Sequence, residues 1–350
     1  MRVPDELERA VYAAAGSVPP TGELVQAIID RSRRYTSDRD RLSAPGRHDL
    51  AARALFFTLA DAMKVTVPLR ELAARTALPA HRPLRVVDLG AGCGAMTLGL
   101  LTITRDVEVT ALDRDRAALA IAERAAREVG TLIATRTGDV ASTELPACDV
   151  VLIGSVLNEL PPPAQLAVVE RALAAITDDG AVIIVEPALR DTARALHVVR
   201  DAVITRGSGH VFAPCTRRAA PCPMLADPDD WCHEDRPLAL PPRTAELARL
   251  THLRDSGMKF AYLTLRRAPL DLVADPDAWR IVSASRATKG KLEVHACSAR
   301  GRMPLRLLRK HRTPDNRELE RAQRGDVVSI EGEAPEITAA TRVFRAPRDR

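Results

Sequence analysis

The chain has 350 residues, 46% of them hydrophobic and 28% charged, with a net charge of +5. At roughly 100 to 200 residues per domain, this length suggests two or three domains and excludes a small disulfide-stapled module. No apolar run approaches the roughly 18 to 20 residues that a membrane-crossing helix needs, so no membrane partner is expected.

The first residues, MRVPDELERAV, carry Asp5, Glu6 and Glu8. A signal peptide needs an apolar stretch there and a transit peptide avoids acids, so a cytoplasmic location is expected. Arg far outnumbers Lys and Ala is abundant, so part of the basicity reflects composition bias. The charge is also local: between Arg280 and Arg324, 13 Lys or Arg stand against 4 Asp or Glu. Such clustering is the footprint of a nucleic-acid contact or of a solvated face, and composition alone does not separate the two.

From residue 4 to about 78 the apolar residues keep helical spacing, as in Leu24, Ile28 and Ile29 or Leu55, Phe56, Leu59 and Met63, punctuated by Pro19, Pro20, Pro45 and Pro68. This predicts a helical N-terminal domain over 1–80. From residue 84 short β-rich runs take over: LRVVDLG (84–90), VEVTALD (107–113), TLIATRTGD (131–139), CDVVLIGS (148–155) and AVIIVEP (181–187), with helical stretches between them. Strands alternating with helices imply right-handed crossovers, a parallel sheet and a ligand at the carboxyl ends of its strands. The expected fold is therefore a doubly wound α/β domain, over 81–270.

A helix is expected at about 189–204. Beyond it, a Pro-, Asp- and Cys-rich loop over 208–242 shows neither hydrophobic period and needs something other than a core to order it. MKFAYLTLRR (258–267) should rejoin the sheet. A small basic β-rich module follows over 271–335, with WRIVSAS (279–285) and KLEVHACS (291–298) as a hairpin turning at Lys289-Gly290. MPLRLLRK (303–310) suits strand or helix, and 336–350 is expected to be a flexible basic tail.

Asp88-Leu89-Gly90-Ala91-Gly92-Cys93-Gly94 closes the first strand and opens a helix. Glycines there let the backbone turn sharply beside a ligand, and the helix start offers unpaired backbone donors. With Ala95 the string also fits the dinucleotide pattern G-x-G-x-x-G/A, so an NAD-dependent oxidoreductase has to be weighed. An acid two residues before the first glycine suits a ligand with an amino group and opposes a pyrophosphate, so Asp88 favours S-adenosylmethionine. Asp113 ends the second strand, where a carboxylate can accept ribose hydroxyls. Asp139 ends the third, where one can meet an adenine edge. The D-x-G-x-G-x-G turn with Asp113 and Gly138-Asp139 in order resembles the class I methyltransferases over roughly 83–200. The resemblance implies a Rossmann-like sheet and a cofactor pocket containing Asp88, Gly90, Gly92, Asp113 and Asp139. The loop after the fourth strand, Gly154 to Leu160, lacks the Asn/Asp-Pro-Pro-aromatic run of base amino-methyltransferases and any Cys placed to attack a pyrimidine. No catalytic residue is assigned; Glu159 reads as a solvated loop carboxylate.

Of the six cysteines, Cys93 and Cys148 read as small core fillers. Cys215, Cys222 and Cys232 lie in the irregular loop, and Cys297 ends a much later strand. Structural disulfides do not suit a reducing cytoplasm, and unligated thiols would leave the loop with little to hold it. Metal ligation is therefore expected, by zinc or by an iron-sulfur cluster.

The glycine turn, VLNELPPP, EPALRDTA, PCTRRAAPCPML, DWCHEDRP and the late VHACS occur in an order that resembles the methyltransferase-like family of small-ribosomal-subunit assembly factors. That family includes mitochondrial small-subunit proteins and their bacterial relatives, and the resemblance spans roughly 45–330. It implies a 4Fe-4S cluster on Cys215, Cys222, Cys232 and Cys297 and association with small-subunit rRNA, with methyl transfer less secure. The helix 54–65 departs from the family pattern. His210 and His233 are then expected to hydrogen-bond around the cluster and not to ligate it. Trp231 and Trp279 should pack and not stack on bases. Arg300, Arg302, Arg306, Arg309, Lys310 and Arg312 are expected to meet rRNA phosphates. Either an rRNA methyltransferase or a non-catalytic assembly factor on the same scaffold fits these features.

Overall fold

A computed structural model describes residues 1–36, 46–80, 82–254 and 257–346. Pro45 and the last four residues of the expected tail lie outside that range.

Helices α1 (Asp5–Ala15), α2 (Thr21–Thr36), α3 (Asp49–Ala52), α4 (Leu59–Ala62) and α5 (Thr66–Ala74) precede the first sheet, with a π-helical turn over Arg53–Thr58 between α3 and α4. Their apolar stripes do not close on themselves. Leu7, Ile28, Phe56, Leu59 and Leu72 share one continuous core with Val86, Ala111, Val150 and Ile183 of the sheet. The expected separate N-terminal domain is therefore a helical layer on one face of the sheet.

That sheet contains β1 (Leu84–Leu89), β2 (Val107–Asp113), β3 (Ala134–Thr137), β4 (Cys148–Gly154), β5 (Ile176–Pro187), β6 (His210–Ala213), β7 (Glu234–Arg236) and β8 (Met258–Arg266). Its order is β3-β2-β1-β4-β5-β8-β6, with β7 also on β8. β1 to β5 run parallel and β8 runs antiparallel to β5. Residues 150–153 of β4 and 181–185 of β5 are continuous apolar runs because both faces are covered. The first face carries the N-terminal helices with α6 (Ala95–Leu101), α7 (Arg116–Glu128) and α10 (Pro242–Thr251); the other carries α8 (Pro162–Ala175) and α9 (Arg190–Arg206). Gly99 of α6 sits so close to α4 that an added β-carbon would lie 1.9 Å from the carbonyl oxygen of Ala62. β3 is shorter than its sequence suggests, an exposed edge strand with little to bury.

The second sheet holds β9 (Trp279–Ile281), β10 (Arg286–Ala287), β11 (Lys291–Ser298), β12 (Gly301–Leu308), β13 (Val327–Glu331), β14 (Glu336–Ile337) and β15 (Arg342–Arg345), with a one-turn α11 (Glu318–Arg321). Its order is β14-β12-β11-β9-β13-β15, with β10 on β11. The expected hairpin forms, and residues 303–308 resolve as strand. Residues 336–345 are not a loose tail: β15 pairs with β13 and β14 with β12, and Ile337 and Val343 enter the core beside Trp279.

Candidate cofactor and cysteine sites

The turn between β1 and α6 is strongly bent, with φ of 77° at Gly90, 53° at Gly92 and 88° at Gly94, conformations that a side chain disfavours. A β-carbon on Gly90 would also lie 2.3 Å from a Val156 methyl. The strand-end acids stand where expected but are already engaged. Asp113 accepts the amide of Gly92 on Oδ2 and that of Asp115 on Oδ1, each at 2.8 Å. Asp139 is exposed, and its Oδ1 accepts from Ala141 N at 2.7 Å. Asp88 differs from its expected role. It is fully buried beneath the turn, where Oδ2 accepts from the Thr97 amide at 3.1 Å and hydroxyl at 2.6 Å, so it braces α6 and adds no surface to the pocket. Burial pushes its carboxyl up to about 6 against those hydrogen bonds, and Oδ1 has no partner.

Three residues that sequence reading passed over join this edge. Arg53, on the π-helical turn, bonds the Asp115 carboxylate and reaches over Gly92. Glu186, at the end of β5, accepts the amides of Val156 at 3.1 Å and Leu157 at 2.9 Å, which fixes the loop after β4. Burial pushes its carboxyl up to about 8. Arg31 spans both oxygens of Asp49 and lies over the Tyr35 ring. A cleft of about 350 Å³ opens beside this edge, lined by Tyr35, Phe57, Ser155, Asn158, Glu159 and Leu189 among others. Glu159 accepts from the Tyr35 hydroxyl at 3.1 Å and pairs with Arg114 at 3.5 Å, so it is a tied loop carboxylate and not a poised base.

Cys215, Cys222, Cys232 and Cys297 line one cavity of about 40 Å³ between the two sheets. Chain direction explains the meeting. β6 ends at Ala213 on the carboxyl edge of the first sheet and delivers Cys215 there. On β11, Leu292, Val294, Ala296 and Ser298 face the second core, so Cys297 points the other way. The same polarity puts His210, at the far end of β6, exposed and away from the cavity; the expected role for it does not hold. His233 does line the cavity, and its Nδ1 is buried without a partner. His197, not foreseen, accepts the Cys232 amide on Nε2 at 3.1 Å, and burial lowers its pKa to about 4, which keeps it neutral.

The loop is also better held than its composition suggests. From one face of α9, Arg194 donates to the carbonyls of Met224, Leu225, Asp227 and Asp230. Arg200 donates to those of Arg217 and Ala219, and Asp201 accepts the Cys222 amide at 2.7 Å. Burial and mutual repulsion push Cys222 to about 11 and Cys297 to about 12, and Cys232 upward as well. Among the described residues, no three His, Cys, Asp or Glu side chains close on a single ion. Trp279 is buried in the second core, and the Trp231 indole donates to Ala188 O at 3.1 Å while stacking on His233, so neither is free for a base.

The basic residues divide. Arg302 pairs with Asp230 at 2.8 Å, Arg306 with Glu293 at 2.8 Å and Glu336 at 3.1 Å, and Arg312 with Glu320 at 2.8 Å. Arg300, Arg309 and Lys310 are exposed, Arg300 lying over the Trp279 ring at 6.0 Å.

A sheet of this order, with one antiparallel strand beyond β5 and a glycine turn at the end of β1, defines a methyltransferase-like α/β protein. The sequence profile of the Rsm22 family, described as mitochondrial small ribosomal subunit Rsm22, matches residues 48–329, and the chain belongs to that family. No curated protein matches it in sequence. Among solved structures it is similar to magnesium protoporphyrin IX methyltransferase from Synechocystis, at 14% identity over 72% of this chain and 100% of that one, with a TM-score of 0.39. A candidate RNA methyltransferase from Pyrococcus horikoshii matches at 14% over 59% and 84%, TM-score 0.38. For a candidate O-methyltransferase from Nostoc punctiforme the values are 16% over 47% and 51%, TM-score 0.37, so the chain spans about half of that protein.

Proposed function

We propose that the protein is a cytoplasmic small-ribosomal-subunit factor that binds S-adenosylmethionine at the glycine turn, carries an iron-sulfur cluster on Cys215, Cys222, Cys232 and Cys297, and meets rRNA through its second sheet. The observation that carries the reading is the convergence of these four thiols, from two segments more than sixty residues apart, on one cavity of a family member. Burial opposes ionisation of Cys222, Cys232 and Cys297, so holding these thiols as thiolates takes a cation. Four thiolates suit tetrahedral zinc or a cubane cluster, and the family resemblance favours the cubane. Bound there, a 4Fe-4S cluster would supply cross-linking and one-electron chemistry. Arg200 and Arg280 line the cavity, each already paired with carboxylates.

At the glycine turn the spare lone pairs of Asp113 suit a ligand bearing ribose hydroxyls, while the buried Asp88 braces the turn from beneath. The cleft lined by Tyr35 and Phe57 favours methyl transfer as a second reading, testable with labelled methyl donor and small-subunit rRNA.

Protein purified without oxygen should be brown, absorb broadly near roughly 400 nm and bind iron in a way lost in Cys222→Ser. Colourless protein with stoichiometric zinc would overturn the cluster and keep the ligands. Calorimetry showing NAD binding with no binding of S-adenosylmethionine would replace the cofactor reading by the oxidoreductase.

A further inference from the structure

The π-helical turn Arg53–Thr58 opens the helix 54–65, and its first residue does something the helix pattern does not announce. Turns of this kind re-aim a side chain relative to a regular helix. Here Arg53 crosses from the helical layer to the β1–α6 turn. One terminal nitrogen, Nη1, bonds the Asp115 carboxylate, and a β-carbon on Gly92 would lie 3.4 Å from the other, Nη2. Among the described residues Nη2 donates to no protein acceptor, and the side chain keeps 20% of its surface exposed.

The charges around it say what it can take. Asp113 and Asp115 make this edge anionic, which suits the cationic groups of a sulfonium amino acid and repels its carboxylate. Arg31 and Arg254, the guanidinium groups lining the cleft, are spent on Asp49 and Asp61. A partly exposed guanidinium fork over the glycine backbone is the group that can receive a carboxylate there.

We propose that Arg53 is the carboxylate-recognising residue of the glycine-turn site, so that the site selects a nucleoside with an amino-acid end over adenosine or a plain thionucleoside. This rests on the cofactor reading above. The test compares S-adenosylhomocysteine with 5′-methylthioadenosine, which lacks the amino-acid end, by calorimetry on the full chain. Wild type should prefer the former. Arg53→Ala should weaken S-adenosylhomocysteine by about 10- to 100-fold, as for a lost hydrogen-bonded charge pair, and leave methylthioadenosine within about 2-fold. Because Asp115 caps α7 by accepting the amides of Ala117 and Ala118 on Oδ1, Asp115→Asn retains a capping oxygen while releasing Arg53 from a competing charge. Under the proposal this variant keeps or sharpens the preference.

Equal losses of both ligands in Arg53→Ala, or matching losses in Asp115→Asn, would show that the arginine only ties down α7 and would overturn the proposal while leaving the cofactor reading intact. Wild-type protein that binds neither ligand would overturn both.

Discussion

A carboxyl buried without a counter-ion holds its proton, and Glu186 is such a group. It is 1% exposed, its Oε1 serves two loop amides and its Oε2 has no partner. Its pKa is about 8 in the fold against 4.5 for the free side chain, raised first by burial. Between those values the folded state keeps a proton that the unfolded state has released, so stability is full below about pH 4.5 and falls as pH rises toward 8. Glu186→Gln retains the acceptor oxygen and cannot ionise. Urea unfolding should show the variant gaining on wild type by several kcal/mol from roughly pH 5 to pH 8. Parallel curves would remove the assignment. Nothing in IIVEP signals this, because a strand-end acid reads the same whether water or a loop amide meets it. Asp88 shows the converse: its motif is legible, but its engagement with Thr97 depends on packing across the turn.

At the scale of elements, the joint between the sheets rests on more than thiols. Arg280 of β9, 3% exposed, bonds Glu71 of α5 at 2.9 Å, Glu234 of β7 at 2.7 Å and the Tyr262 hydroxyl at 2.9 Å. Removing one partner of a buried ionic cluster leaves uncompensated charge, so Arg280→Ala should destabilise the fold by about 3–5 kcal/mol, measured by chemical denaturation. Arg306→Ala, which loses half-exposed pairs, should cost about 0–1 kcal/mol. A cost below that of Arg306→Ala would deny the joint its role.

Cys297→Ser should leave this ionic joint closed. Faster hydrogen exchange is then expected over 215–232 and 291–298, with β13 and β15 unchanged. Exchange that rises throughout the second sheet would mean that the thiol, and not Arg280, holds it in place.

The first sheet was legible because apolar runs flanked by glycines and acids repeat five times in the sequence. β7, β14 and β15 were not legible: strands of two to four residues carry too little alternation to register, and each forms only against a neighbour already in place. The alternation in KLEVHACS fixed Cys297 on the outer face. What the sequence left out was the partner that face meets, because the loop's attachment to α9 runs through Arg194 and Arg200, long side chains without a motif of their own.

For the whole molecule, charge location decides how a polyanion would be met. The sequence marks a net basic segment, and the fold shows that three of its six named cations are already paired. Arg309 and Lys310 sit together on an exposed 3-10 turn after β12, with no ion pair among the described residues. Arg302, Arg306 and Arg312 spend charge on Asp230, Glu293, Glu336 and Glu320. A paired guanidinium must give up its carboxylate before it neutralises a phosphate, so it releases fewer counterions on binding. If the second sheet meets rRNA as proposed, Arg309→Ala with Lys310→Ala should lower the slope of log K against log salt by about 2, at roughly 0.9 per phosphate contact. Arg306→Ala with Arg312→Ala, which removes the same number of charges, should change the slope by less than 1. Binding of small-subunit rRNA fragments, measured across a salt series with the cysteines intact, separates the two pairs of substitutions. Equal slopes for both double variants would mean that the ion pairs open on binding, and an unchanged slope for Arg309 and Lys310 would make this turn a solvated face.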